Sequence, residues 1–107
     1  MQELLWLLES VVTAFRGLDV SGDLVRGKYF NQIARELRAS APGTALDRVV
    51  DWLLSLHGFL SSPTGGGVRH GMDLNTGIEM SANEALLFCN LIRSYLSFLL
   101  AEHERLT

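Results

Sequence analysis

Arg69 and His70 stand side by side at the end of a glycine run, Thr64-Gly65-Gly66-Gly67-Val68-Arg69-His70-Gly71. Arginine offers a permanent forked donor for phosphate or carboxylate, and histidine exchanges a proton near neutral pH. Those two capacities suffice for metal-free cleavage of RNA. One group moves protons during attack by the 2′-hydroxyl, and the other steadies the charged phosphorane. Successive N–H groups of Gly65, Gly66 and Gly67 would add an anion-binding concavity, since glycine lets a backbone come close to a ligand. Neighbouring residues in extended chain point to opposite sides. Arg69 and His70 of one subunit therefore meet a single phosphate only if the loop curls, or they meet their symmetry mates across a two-fold axis. The plainer reading is a bend in which Arg69 pairs with a carboxylate and His70 packs the loop. The run has neither the lysine of a Walker loop nor the strand-turn-helix setting of a dinucleotide fingerprint.

A second group of cations, Lys28, Arg35 and Arg38 with Asn31 between them, falls on one side of a helical segment. It reads either as a solvated exterior or as a phosphate-facing strip beside the glycine loop. Metal chemistry has little support. Asp73, Asn75 and Glu79 do not match a calcium loop, and His57, His70 and His103 are too widely spaced for a helical zinc pair. The single cysteine, Cys89, excludes an internal disulfide and lies in an apolar helix face, where it reads as a core thiol. No cofactor and no metal is implied.

These residues must be positioned by helices, because four segments have a 3.6-residue period and none has a convincing strand pattern. The first runs from Gln2 to Gly17, with Leu4, Leu8, Val11, Val12 and Phe15 on one face and Leu5, Trp6 and Leu7 widening it. The second, capped by Ser21 or Asp19, continues to Ala39 with Val25, Tyr29, Ile33 and Leu37 turned inward. Pro42-Gly43 breaks it. Thr44-Ala45-Leu46-Asp47 then opens a third helix to about Leu60, with His57 late in it, where a cation suits the helix dipole. A loop from Ser61 to Met80 has no period and is long for a compact bundle. Ser81-Ala82-Asn83-Glu84 is a capping box for the longest helix, to about Arg105.

The expected architecture is all-α: a four-helix, up-and-down type bundle with a long glycine-rich loop before the last helix. At 107 residues it forms one domain, residues 1–107, and its abrupt ends suggest excision from a longer protein. Hydrophobic residues make up 48% of the chain, more than a monomer this small can hide, and both terminal helices are apolar on more than one side. That excess points to a homodimer through helices 1 and/or 4. A net charge of −3 gives no global attraction to nucleic acid or to an anionic membrane. The N-terminal apolar run carries Glu3 and Glu9 and is too short to span a bilayer. A cytoplasmic location and no membrane partner are the expectation.

The stretch GGGVRHG, a short spacer, then SANEALLFCNLIRSYLSFLLAEHERL resembles the end of prokaryotic HEPN-type domains, in particular the C-terminal domains of abortive-infection proteins. In those, a His-Gly or Arg-His-Gly segment in a glycine-rich loop precedes a long closing helix. The resemblance covers the chain from Gly65 onward and implies a paired helical bundle. Members are metal-independent RNases of toxin, antiviral or CRISPR-associated systems, or modules that have lost catalysis and serve assembly or binding. Active members place a His four to six residues beyond an Arg. Here Arg69 precedes His70 directly, and no Arg has a His at the active spacing.

The resemblance implies dimerisation and RNA or nucleotide-phosphate contact in an antiviral defence or toxin-related protein, with an attached effector domain elsewhere. Arg69 would be the phosphate ligand, the amides of Gly65, Gly66 and Gly67 its support, and Lys28, Arg35 and Arg38 the outer contacts. Two alternatives remain: a metal-independent endoribonuclease using His70 and Arg69 catalytically, and a purely structural dimerisation domain.

Overall fold

The computed structural model describes residues 2–61 and 80–107. Four helices take up most of them: α1 (Gln2–Thr13), α2 (Phe30–Ser40), α3 (Ala45–Ser61) and α4 (Ala82–Leu106), with two short strands, β1 (Asp19–Val20) and β2 (Asp23–Leu24), between α1 and α2. The core is one cluster. Leu5, Leu8, Val12 and Phe15 meet Ile33 and Leu37 of α2, Val50, Leu53 and Leu60 of α3, and Ile92, Leu96 and Leu99 of α4. Helices α2 and α3 pack together, as do α1 with α4, α1 with α2, and α3 with α4.

The strands correct the sequence expectation. Asp19 to Leu24 does not begin a helix but forms a hairpin, with Asp19 opposite Leu24 and Val20 opposite Asp23. Ser21 and Gly22 are its two loop residues, and both have positive φ (53° and 92°), the mirror-image turn whose twist suits a hairpin. The Gly22 N–H donates to Asp19 Oδ1 at 2.8 Å. Two further bonds lengthen the ladder, from Gly17 N–H to the Val25 carbonyl at 2.8 Å and from Val25 N–H to the Leu18 carbonyl at 2.9 Å. Helix α1 therefore stops at Thr13 and runs out through turns to Gly17 (φ 87°).

Helix α2 starts well after its expected cap, because side chains from its own first two turns take the donors upstream. Glu36 accepts from the N–H groups of Arg26 (3.0 Å) and Gly27 (2.7 Å), and Gln32 Oε1 from those of Lys28 (3.1 Å) and Tyr29 (3.3 Å). With those groups satisfied, residues 26–29 stay outside the helix. Tyr29, expected inside, stands 64% exposed, and Phe30 takes the buried place.

The other caps follow the sequence. Ser81 Oγ accepts from Glu84 N–H while Glu84 accepts from Ser81 N–H, both at 3.2 Å. At the α2–α3 turn, Thr44 Oγ1 donates to the Ala41 carbonyl at 2.6 Å and accepts from Asp47 N–H at 3.3 Å.

Two contacts orient the ends. Phe59 near the end of α3 meets Phe88 near the start of α4, ring centres 5.7 Å apart, as antiparallel neighbours require. The Ala14 carbonyl lies 3.0 Å from His103 Nε2, so the C-terminal ends of α1 and α4 are held together. Strict up-and-down alternation would place the end of the first helix by the start of the fourth. The hairpin lies between α1 and α2.

Helix α4 is long and apolar enough to cross a membrane by length and composition, yet only 17% of its most apolar window is buried.

Candidate functional site

Gly65, Gly66, Gly67, Arg69 and His70, with Asp73, Asn75 and Glu79, lie outside the described residues. Of the expected site, Lys28, Arg35 and Arg38 can be placed, and they do not form one strip. Lys28 belongs to the lead-in before α2, and its Nζ lies 6.0 Å from the centre of the Tyr29 ring. Arg35 is exposed on α2 and has no ion-pair partner among the described residues. Arg38 is committed to α3: its Nε donates to Asp47 Oδ1 at 2.9 Å, and its Nη1 lies 3.2 Å from Asp51 Oδ1.

Asp47 is the centre of that corner. Its second oxygen accepts from Gly43 N–H at 2.9 Å, and this bond, then the one from Arg38, holds the carboxyl below its ordinary value of 3.8. The same Asp47 bond raises Arg38 above its usual value. A carboxylate with a lowered folded-state pKa stabilises fully above its unfolded value and loses that contribution as pH falls through the folded one. The melting temperature should accordingly decline below about pH 4. In Asp47→Asn part of that decline should disappear, the remainder including Glu84, whose carboxyl is also lowered by its bonds to Ser81. A melting series from about pH 7 down to about pH 2.5, spanning the carboxylate range, measures both curves. Parallel curves would show that Asp47 is not the group titrating.

A feature that sequence reasoning missed lies on the other side of α2. His57, read as a cation at a helix end, is buried, with Nε2 3.6 Å from Glu9 Oε1 of α1 and its ring 4.6 Å from that of Phe30. Near it, Trp6, Glu9, Ser10 and Thr13 of α1 and Lys28, Tyr29 and Phe30 of the α2 entry line an open groove of about 340 Å³. Trp6 is 57% exposed. The hydroxyls of Ser10 and Thr13 already donate along their own helix, to the Trp6 and Ser10 carbonyls. Three aromatic side chains, one ammonium and one carboxylate are a binding vocabulary. No three His, Cys, Asp or Glu side chains converge as a metal site among the described residues.

On the remaining side, Ser10, Val11, Ala14, Leu100 and His103 line an apolar groove of about 210 Å³ between α1 and α4. Next to it runs the outer face of α4, with Leu86, Leu87 and Leu100 exposed. Cys89 is half-buried rather than in the core. No protein-family model, no curated protein and no solved structure matches this chain.

Proposed function

We propose that this chain is a helical assembly module that pairs with a second copy of itself through the outer faces of α4 and α1, as a HEPN-like domain of an antiviral defence or toxin-related protein. The kinship rests on the sequence pattern from Gly65 onward. Contact with RNA or another phosphate belongs to the same reading, with Arg69 and the glycine amides as ligands and the exposed Lys28 and Arg35 as outer contacts.

The observation that supports pairing is the exposure of α4. A helix of 25 residues buries only Ile92, Leu96 and Leu99 and leaves Leu86, Leu87 and Leu100 facing outward, with Leu7 exposed on neighbouring α1. Apolar surface left on a small bundle is stabilised by covering it, at about 25 cal/mol for each Å² removed from water. A membrane span fits less well, because Arg93, near the middle of α4, is exposed, and a charge at mid-bilayer is costly.

Sedimentation equilibrium tests the reading. The chain is expected to approach twice its monomer mass as concentration rises, and Leu100→Asp to remain monomeric with unchanged helical circular dichroism. A chain monomeric throughout that instead floats with phospholipid vesicles would replace the partner copy by a membrane.

A further inference from the structure

The exposed side of α4 has an order that apolarity alone does not require. Arg93, Ser97, Leu100 and Glu104 follow one another at spacings of four, three and four, and all are exposed. That spacing matches the seam positions of a coiled coil, with Leu100 the apolar member of these four. Eleven residues separate Arg93 from Glu104, close to three full turns, so both charges stand on one line. Neither has an ion-pair partner within the chain among the described residues. The nearer neighbours on this face are small or polar, namely Asn90, Ser94 and Ala101, and exposed Leu86 precedes Arg93 by seven residues on the same line.

Read along the helix, the seam is cation, small, large, anion. Reversed, it is anion, large, small, cation. A sequence of this kind is complementary to itself only when two copies run antiparallel. We infer that two copies of the chain pair through antiparallel α4 helices, with the two-fold axis passing between Phe98 and Leu99. In that register Arg93 of each copy opposes Glu104 of the other, and Leu100 of each opposes Ser97 of the other, while Leu86 and Leu87 lie beyond the overlap and Leu100 is the leucine that the contact covers.

Chemistry favours this arrangement over its neighbours. A parallel pair would set Arg93 against Arg93 and Glu104 against Glu104, with two leucines and two serines in like layers. Antiparallel seams also place the two kinds of core position in one layer, which is how Ser97 comes to face Leu100. Small Ser97 leaves a hollow for the leucine, while Ala101 and the apolar groove lined by Ser10, Val11 and Ala14 continue it onto α1. The two charge pairs lie at the ends of the contact, where they set register more than affinity.

This inference rests on the pairing proposed above and adds its partner geometry. The test is a charge exchange followed by sedimentation equilibrium of the full chain. Arg93→Glu and Glu104→Arg alone are each expected to weaken self-association by about tenfold, since each leaves two like-charge pairs in the contact. The double variant is expected to restore it to within about threefold, which rules out loss of folding as the cause. Single variants that dimerise like the wild type, or a double variant no better than the singles, would overturn the register while leaving pairing intact. A wild-type chain that never dimerises would overturn pairing and register together.

Discussion

Gly27→Ala is expected to lower folding stability by about 3 kcal/mol and the melting temperature by roughly 10–15 °C. The cause is crowding, not backbone conformation. A methyl group on residue 27 would run into Glu36 Oε2 and would stand 3.0 Å from Gln32 Cβ and 3.1 Å from Ile33 Cγ1. Ile33 is fully buried, and a Cβ has no freedom of its own, so the carboxylate must give way. That carboxylate holds the N–H groups of Arg26 and Gly27. Moving it therefore frees two donors besides the strain, of which the Gly27 N–H is part-buried and the Arg26 N–H is open to water. The test is a double-mutant cycle in urea. With Glu36→Ala in place the methyl meets fewer atoms, so the double variant should lose clearly less than the sum of the two single losses. Losses that add to within about 0.5 kcal/mol would refute the coupling.

The same corner shows where reading the chain by periodicity stops. Val25, Ile33 and Leu37 share a helical spacing and all three are buried, yet Val25 reaches the core from the end of a hairpin. Strands of two residues have no alternation to detect. The available signal was the Ser21-Gly22 pair, a turn dipeptide of the kind that closes hairpins. The Ser81-Glu84 cap and the Pro42-Gly43 break are legible in the sequence because each is local, with its determinants a few residues apart.

Arg38 shows the opposite case. Its partners Asp47 and Asp51 lie nine and thirteen residues on, across a turn, and a count of cations on one helix face does not include them. His57 and Glu9 are farther apart still, and only packing of α1 against the rest makes a helix-end histidine a buried one. The groove near them draws Trp6 from one helix and Tyr29 from the entry to another. Self-complementarity of Arg93, Ser97, Leu100 and Glu104 is written in the sequence itself. It has a consequence only because α4 turns that side, rather than the Ile92–Leu96–Leu99 side, to solvent.

Phe15→Ala is expected to have the largest effect of any single truncation, about 3–5 kcal/mol, against the roughly 5–15 kcal/mol that holds a typical domain together. Phe15 is fully buried, and it follows α1 directly where the chain turns toward the hairpin. Its ring meets that of His103 edge-on, at 5.3 Å and 87°, an arrangement favourable beyond the area it covers. The next contact, from His103 Nε2 to the Ala14 carbonyl, is the tie between the C-terminal ends of α1 and α4. Removing the ring thus opens a cavity and loosens that tie in one step. Phe15→Leu keeps most of the volume without the aromatic edge and should lose only about 1–1.5 kcal/mol. Chemical denaturation gives both values, and the His103 ring-proton shift in NMR follows the lost ring current directly. A Phe15→Ala loss below about 1 kcal/mol, with an unmoved His103 signal, would mean that the two helix ends are not joined here. If they are joined, the consequence reaches the surface. Leu100 lies one turn from His103 on the same helix and lines the same groove against α1, so the contact that fixes His103 also fixes Leu100. Phe15→Leu should then weaken self-association although residue 15 touches no partner.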